Sequence, residues 1–143
     1  MRATDFLKTA NNLSKSQDEW DTRTSISRSY YAVHLEFSEF IRQVTQGRFF
    51  RKDRHKSVVQ CFERCSDKSW KTIARKLNDL RGWRTKADYE MNRTFKQKNC
   101  ELVLIIARGL LTDYQANIGN SNLEQDFREA VKKEFQFKLG ISI

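Results

Sequence analysis

Apolar side chains recur at steps of three and four along most of this chain, the spacing that lines one face of an α-helix. A first helix is expected over about Thr4 to Asn12, with Phe6, Leu7, Ala10 and Leu13 on one side and Thr4 as its N-cap. A long second helix, about Gln17 to Gln46, buries Ile26, Tyr30, Val33, Phe37, Ile41 and Val44, and Gly47 is its stop signal. A third covers His55 to Cys65, burying Val58, Val59 and Phe62, with Asp53 as a cap. A fourth opens near Ser69 and buries Trp70, Ile73, Leu77 and Leu80. Thr94 and Gln97 have capping-box spacing at the head of a fifth, which runs to about Asn117. Its middle, "ELVLIIARGLL", is apolar on nearly every side and reads as the central buried helix. A sixth opens with a second such box, Ser121 to Glu124, and turns Leu123, Phe127 and Val131 inward. The apolar tail "KLGISI" has no assignment.

The pattern breaks in one place. In "LNDLRGWRTKADYE", residues 77 to 90, the stripe that contains Leu77 and Leu80 continues into Arg81, Arg84 and Asp88. With Trp70 at zero and about 100° per residue, Arg81 falls near +20°, Arg84 near −40° and Asp88 near 0°. Burying unpaired charge costs several kcal/mol, so these groups must be paired, wet or facing a partner. One reading ends the helix near Gly82 and leaves the charges in solvent. A second is a plain Arg84–Asp88 ion pair. A third is a polar cleft or interface. The second helix carries a matching polar stripe, Arg23, Ser27, Tyr30 and His34, beside its apolar one. Two such stripes together line a cleft.

Composition narrows the picture. The 143 residues suit one domain, residues 1–143. The chain has no proline and five glycines, which favours long helices joined by short loops. The net charge of +9, from 27 Lys and Arg against 18 Asp and Glu, favours anionic partners such as RNA, DNA, an acidic protein or a phosphate-bearing ligand. The three cysteines follow no disulfide-scaffold spacing; Cys61 and Cys65 share a helix face, but a metal pair would need further ligands, for which the sequence offers only His55 and Cys100. They read as reduced, buried thiols in a cytosolic protein, with no metal and no cofactor. "MRATDFLKTA" contains no signal-type apolar run, and "LVLIIA" is far below the roughly 18 residues of a membrane span. No membrane association is expected.

Three segments carry a family resemblance. "RTSISRSYYAVHLEF" (Arg23 to Phe37) is similar to the R-x-A-x-S-R-A-Y-Y-A helix of HEPN domains, the higher eukaryote and prokaryote nucleotide-binding family. "HKSVVQCF" (His55 to Phe62) resembles its H-K-G-V segment, and "LNDLRGWRTKADYE" its L-x-x-L-R-x-x-R-x-x-A-D-Y signature. Order and spacing agree over most of the chain. The resemblance implies an all-α, up-and-down helical bundle of five to six helices, often a homodimer. Many HEPN proteins are metal-independent ribonucleases of toxin–antitoxin and antiphage systems, and some pair with a minimal nucleotidyltransferase antitoxin. Their nuclease motif is Arg, four to six residues, then His. Here the run is Arg84-Thr-Lys-Ala-Asp88-Tyr89, with no His, which matches the family branch where Ala-Asp-Tyr replaces the His end. His34 also falls one position early against the family's Y-Y-A-x-x-H.

Metal-free RNA cleavage needs a base for the 2′-OH, an acid for the leaving oxygen and cations around the phosphorane. Arginine suits the cation role and histidine the proton transfers. Without that histidine the favoured expectation is an RNA- or nucleotide-binding protein with a degenerate ribonuclease-type site. In it Arg81 and Arg84 grip phosphate, Asp88 orients them, and Arg23, Tyr30 and His34 line the cleft. The basic segment "GRFFRKDRHK" adds Arg51, Lys52, Arg54 and His55 for the phosphate backbone, with Phe49 and Phe50 available to stack bases. One alternative is an active ribonuclease toxin with Arg84, Asp88 and Tyr89 as its catalytic groups. Another is a non-catalytic interaction module using the same polar face.

Overall fold

The computed structural model of the protein describes residues 2–48 and 54–140. Those residues form an all-α helical bundle of six helices: α1 (Ala3–Leu13), α2 (Glu19–Val44), α3 (Arg54–Glu63), α4 (Lys68–Tyr89), α5 (Gln97–Ile118) and α6 (Ser121–Leu139).

Side chains that accept the first free N–H groups decide where helices start. Asp18 accepts from the Trp20 N–H at 2.8 Å and Asp67 from the Ser69 N–H at 2.8 Å, so α2 and α4 each open one residue later. Three caps differ from expectation. Thr4 lies inside α1, because the Asp5 carboxylate reaches back to the Arg2 N–H at 2.8 Å. Thr94 does not cap α5; the Asn99 side chain accepts the Lys96 N–H at 2.8 Å and the helix begins at Gln97. Asn120 rather than Ser121 caps α6, its Oδ1 accepting from Asn122 at 3.0 Å and Leu123 at 3.1 Å. Asn120→Ala is expected to cost about 1 kcal/mol, seen as a lower urea midpoint at unchanged slope. The Asp53 cap lies outside the described residues.

At the other end of α2, Gly47 adopts φ 81° and returns its N–H to the Arg42 carbonyl at 2.8 Å. That is a left-handed helix stop, which glycine enters without a Cβ penalty. Gly82 acts differently. α4 runs through it to Tyr89, which overturns the reading that the helix ends there. Burying Ala87 beyond the glycine offsets a helix cost of about 1 kcal/mol.

The chain divides into two compact units, Met1–Glu36 with Lys76–Leu111, and Phe37–Arg75 with Thr112–Ile143. In the first, Ile26, Val33, Leu77, Leu80, Val103 and Leu110 are fully buried. The buried Ser25 hydroxyl donates to the Ala10 carbonyl at 2.7 Å, which lets α1 and α2 lie close with a polar group satisfied. α5 is not apolar-buried all round, as its sequence suggested: Leu102 and Ile105 are exposed. The second unit is an aromatic core. Phe62 stacks on Phe127 at 4.6 Å, Trp70 on Phe127 at 4.8 Å, and Phe37 meets Phe62 edge-on at 4.8 Å. The Trp70 indole N–H donates to the Leu123 carbonyl at 2.9 Å, so the buried ring keeps its polar atom paired. In the same unit the buried Glu134 carboxylate accepts from the Arg64 Nε–H.

Cys61, Cys65 and Cys100 are free and buried. Burial pushes all three thiols above their ordinary value, so they are poor nucleophiles.

Candidate functional site

A buried arginine on α2 holds the C-terminal end of α4. Arg23 donates from Nη1 to the Ala87 carbonyl at 2.8 Å, and from Nη2 to the Glu90 carbonyl at 3.0 Å and to the Arg93 carbonyl. Its Nε–H donates to Glu19 at 3.2 Å, and its guanidinium lies 4.8 Å over the Phe95 ring. The last carbonyls of a helix carry partial negative charge, so a cation there is favourable. Expected as a ligand contact, Arg23 is instead a clamp. Its side chain is 6% exposed, and its donors go to three of the chain's own carbonyls and to Glu19.

The clamp fixes the helical turn that carries Arg84, Asp88 and Tyr89. Arg84 projects toward α2. Its Nη2 donates to the Tyr31 hydroxyl at 2.8 Å, and its Nε lies 2.9 Å from the Asp88 carboxylate. The Nε–H direction misses that carboxylate, so the pair is a charge contact; Nε has no hydrogen-bond acceptor among the described residues. The guanidinium carbon sits 5.3 Å from the Tyr31 ring centre and 5.5 Å from that of Tyr89. Desolvation pulls the Arg84 pKa down, but Tyr31, Asp88, Tyr89 and Tyr30 together outweigh it and raise it. Arg84 is therefore a permanent cation, 19% exposed along its side chain. The Ser27 hydroxyl donates to the same Asp88 oxygen, Oδ2, at 3.5 Å.

Tyr30 is buried, and desolvation raises its pKa to about 12 against the lowering fields of Arg81 and Arg84. It stays a neutral phenol near pH 7 and is a poor proton donor there. His34 stacks on it at 5.6 Å. Arg81 is exposed one turn before Arg84. Tyr89 is 67% exposed and, with residues up to Arg93, lines an open hollow at the end of α4. So the first unit brings together Arg81, Arg84, Asp88, Tyr89, Tyr30 and His34, all on α2 and α4. Arg54 and His55 belong to the second unit, where Arg54 is exposed and His55 buried. Arg51 and Lys52, with Phe49 and Phe50, lie outside the described residues.

Sequence reasoning missed Tyr31. A wheel centred on Tyr30 puts Tyr31 about 100° away, off the polar stripe. The side chain reaches Arg84 only because α4 lies across that flank of α2. The doubled tyrosine was the available signal.

The arrangement suits an anion. An always-charged fork lies between aromatic rings, with a second arginine in solvent one turn away. Its acid–base repertoire is thin: a carboxylate paired to the arginine and a phenol with a raised pKa. Among the described residues no three His, Cys, Asp or Glu side chains converge to hold a metal, and no helix is long and apolar enough to cross a membrane. No known family model, curated protein or solved structure matches the chain.

Proposed function

We propose that the protein binds RNA or a nucleotide through phosphate held by Arg84 and Arg81, with little or no catalysis. The observation that carries this reading is the Arg84 guanidinium, packed between Tyr31 and Tyr89 with its Nε–H unspent. Asp88 occupies the anion position when no ligand is present. A part-exposed ion pair is worth no more than about 1 kcal/mol, so a phosphate, which takes two N–H bonds from one guanidinium, displaces it cheaply. The net charge of +9 adds long-range attraction. The HEPN resemblance supplies the setting: a cytoplasmic toxin–antitoxin or antiphage system, a homodimer, and a small nucleotidyltransferase as the partner antitoxin. The neutral Tyr30 and the absence of the family's histidine favour binding over cleavage.

The test is to incubate purified protein with fluorescein-labelled tRNA and with total RNA in EDTA, wild type beside Arg84→Ala. The expected result is binding that weakens steeply with salt and intact RNA throughout. Arg84→Ala should weaken binding about tenfold and reduce the salt slope by about 1. Equal binding by wild type and Arg84→Ala, or none by either, removes the proposal. RNA cut in EDTA by wild type and spared by Arg84→Ala and Asp88→Ala replaces it with the metal-independent ribonuclease built from Arg84, Asp88 and Tyr89.

A further inference from the structure

Large apolar side chains stand in solvent at one end of the first unit: Trp20 is 65% exposed, Tyr89 67% and Met91 64%. They edge two adjoining hollows. The larger, about 600 Å³, is lined by Tyr89, Glu90, Met91, Asn92 and Arg93. The smaller, about 130 Å³, lies among Glu19, Trp20, Arg23 and Met91, so Met91 is common to both. The segment that forms them is held in place by the chain itself. Arg23 grips the Glu90 and Arg93 carbonyls. The Glu90 N–H returns to the Lys86 carbonyl at 3.0 Å, and the Arg93 N–H to the Glu90 carbonyl at 3.3 Å. A ligand that enters here does not have to order the loop first.

The Tyr89 ring centre lies 5.5 Å from the Arg84 guanidinium carbon, and most of the ring is open to solvent. A phosphate on Arg84 therefore brings the base of the same nucleotide beside Tyr89. Unpaired bases stack on aromatic rings, and a thioether is a soft, polarisable neighbour for them. The polar rim of the hollow selects among bases. Glu90 and Arg93 stand side by side, carboxylate oxygen to Nη1 3.8 Å, with both side chains half-exposed. Such a pair is worth little in water and opens readily to a ligand. The Arg93 guanidinium is steadied by the Trp83 ring at 6.0 Å and the Phe95 ring at 5.7 Å. Guanine presents, in order around its edge, the N2–H and N1–H donors and then the O6 and N7 acceptors. A carboxylate beside a guanidinium matches that order. Adenine sets its N1 acceptor against the carboxylate and its N6 donor against the arginine. Uracil gives the pair a single donor and a single acceptor, half of what guanine gives.

We propose that this hollow is a guanine subsite for the nucleotide whose phosphate lies on Arg84. The base stacks on Tyr89 beside Met91, Glu90 accepts from N1–H and N2–H, and Arg93 donates to O6 and N7. Trp20, across Met91, takes the next base of a single strand. The subsite rests on the RNA reading above and narrows its ligand to an unpaired guanine.

Fluorescence anisotropy on the full chain tests it, with fluorescein-labelled octauridine and the same strand carrying a single central guanosine or adenosine. Wild type should bind the guanosine strand about tenfold more tightly than either of the others. Glu90→Gln should bring that ratio to about one. Tyr89→Ala should weaken the guanosine strand about tenfold, and Tyr89→Phe should keep it. Arg84→Ala should weaken all three strands alike and leave the ratio, because it removes the phosphate grip and not the base contacts. Glu90 and Tyr89 are exposed, so their variants should keep wild-type circular dichroism. Equal binding of the three strands by wild type, or a guanosine preference that survives Glu90→Gln, overturns the subsite; if that binding still depends on Arg84, the phosphate reading stands without it. No binding of any strand by wild type removes both.

Discussion

Replacing Arg23 by alanine is expected to lower the unfolding free energy by about 3 kcal/mol. The change strands three carbonyls, those of Ala87, Glu90 and Arg93, and the first of these bonds is fully buried. It also removes the cation from the Phe95 ring and leaves Glu19 with only a 3.4 Å contact to the Phe95 N–H in its place. Each unmade buried bond costs about 1 kcal/mol or more. Arg23→Lys should recover less than half, because an ammonium cannot spread its donors over carbonyls that a planar fork spans. The loss should be local first. Amide exchange at Asp88 to Arg93 should accelerate before the rest of α4, since the clamp ends there. RNA affinity should fall with it, because the turn that carries Arg84 and Asp88 frays. A chemical-denaturation midpoint within error of wild type, with unchanged exchange in that turn, would sink the account of Arg23 as a clamp.

Arg64→Ala is expected to cost about 2 kcal/mol by a different route. Glu134 is 1% exposed in the second unit, and its Oε1 has no partner among the described residues. The Arg64 Nε–H on its Oε2 is the charge that makes its burial tolerable. Without it a carboxylate faces the apolar contact between α3 and α6, beside Cys61. Arg64 is itself 36% exposed, which keeps the figure below that of a wholly buried pair. The informative variant is the double one. Glu134→Gln in the Arg64→Ala background should give back most of the loss, because it removes the stranded charge while keeping the volume. Denaturation midpoints for the four proteins decide it. Additive losses would mean that Arg64 acts through its packing over the exposed Phe137 ring, 5.0 Å away, and not through Glu134.

Much of the helix inventory was legible in advance, and the misses share a cause. Thr94 and Ser121 both satisfied a four-residue capping pattern, yet Asn99 and Asn120 do the capping. The pattern records which side chains are able to cap; local geometry decides which of several candidates sits over the free N–H groups. The segment before α5 is drawn away from helical geometry, because Phe95 is buried beneath Arg23 and the Arg93 carbonyl is held by it. That long-range tie moved the helix start, and no local reading contains it.

The polar interruption after Leu80 was also legible, as charges on a stripe that should be apolar. Its meaning was not. Arg23, Arg81 and Arg84 looked equivalent on their wheels, yet one is a buried clamp, one stands in solvent and one packs between tyrosines. What the chain determined by itself was its helices and their apolar faces, because an apolar repeat near 3.6 residues has one backbone solution that buries every such side chain together. Only the tertiary structure decided which arginine meets a carbonyl, a carboxylate or water. A residue's direction around its own helix follows from its number, whereas the group waiting there belongs to another helix, and its position is set by the packing of both.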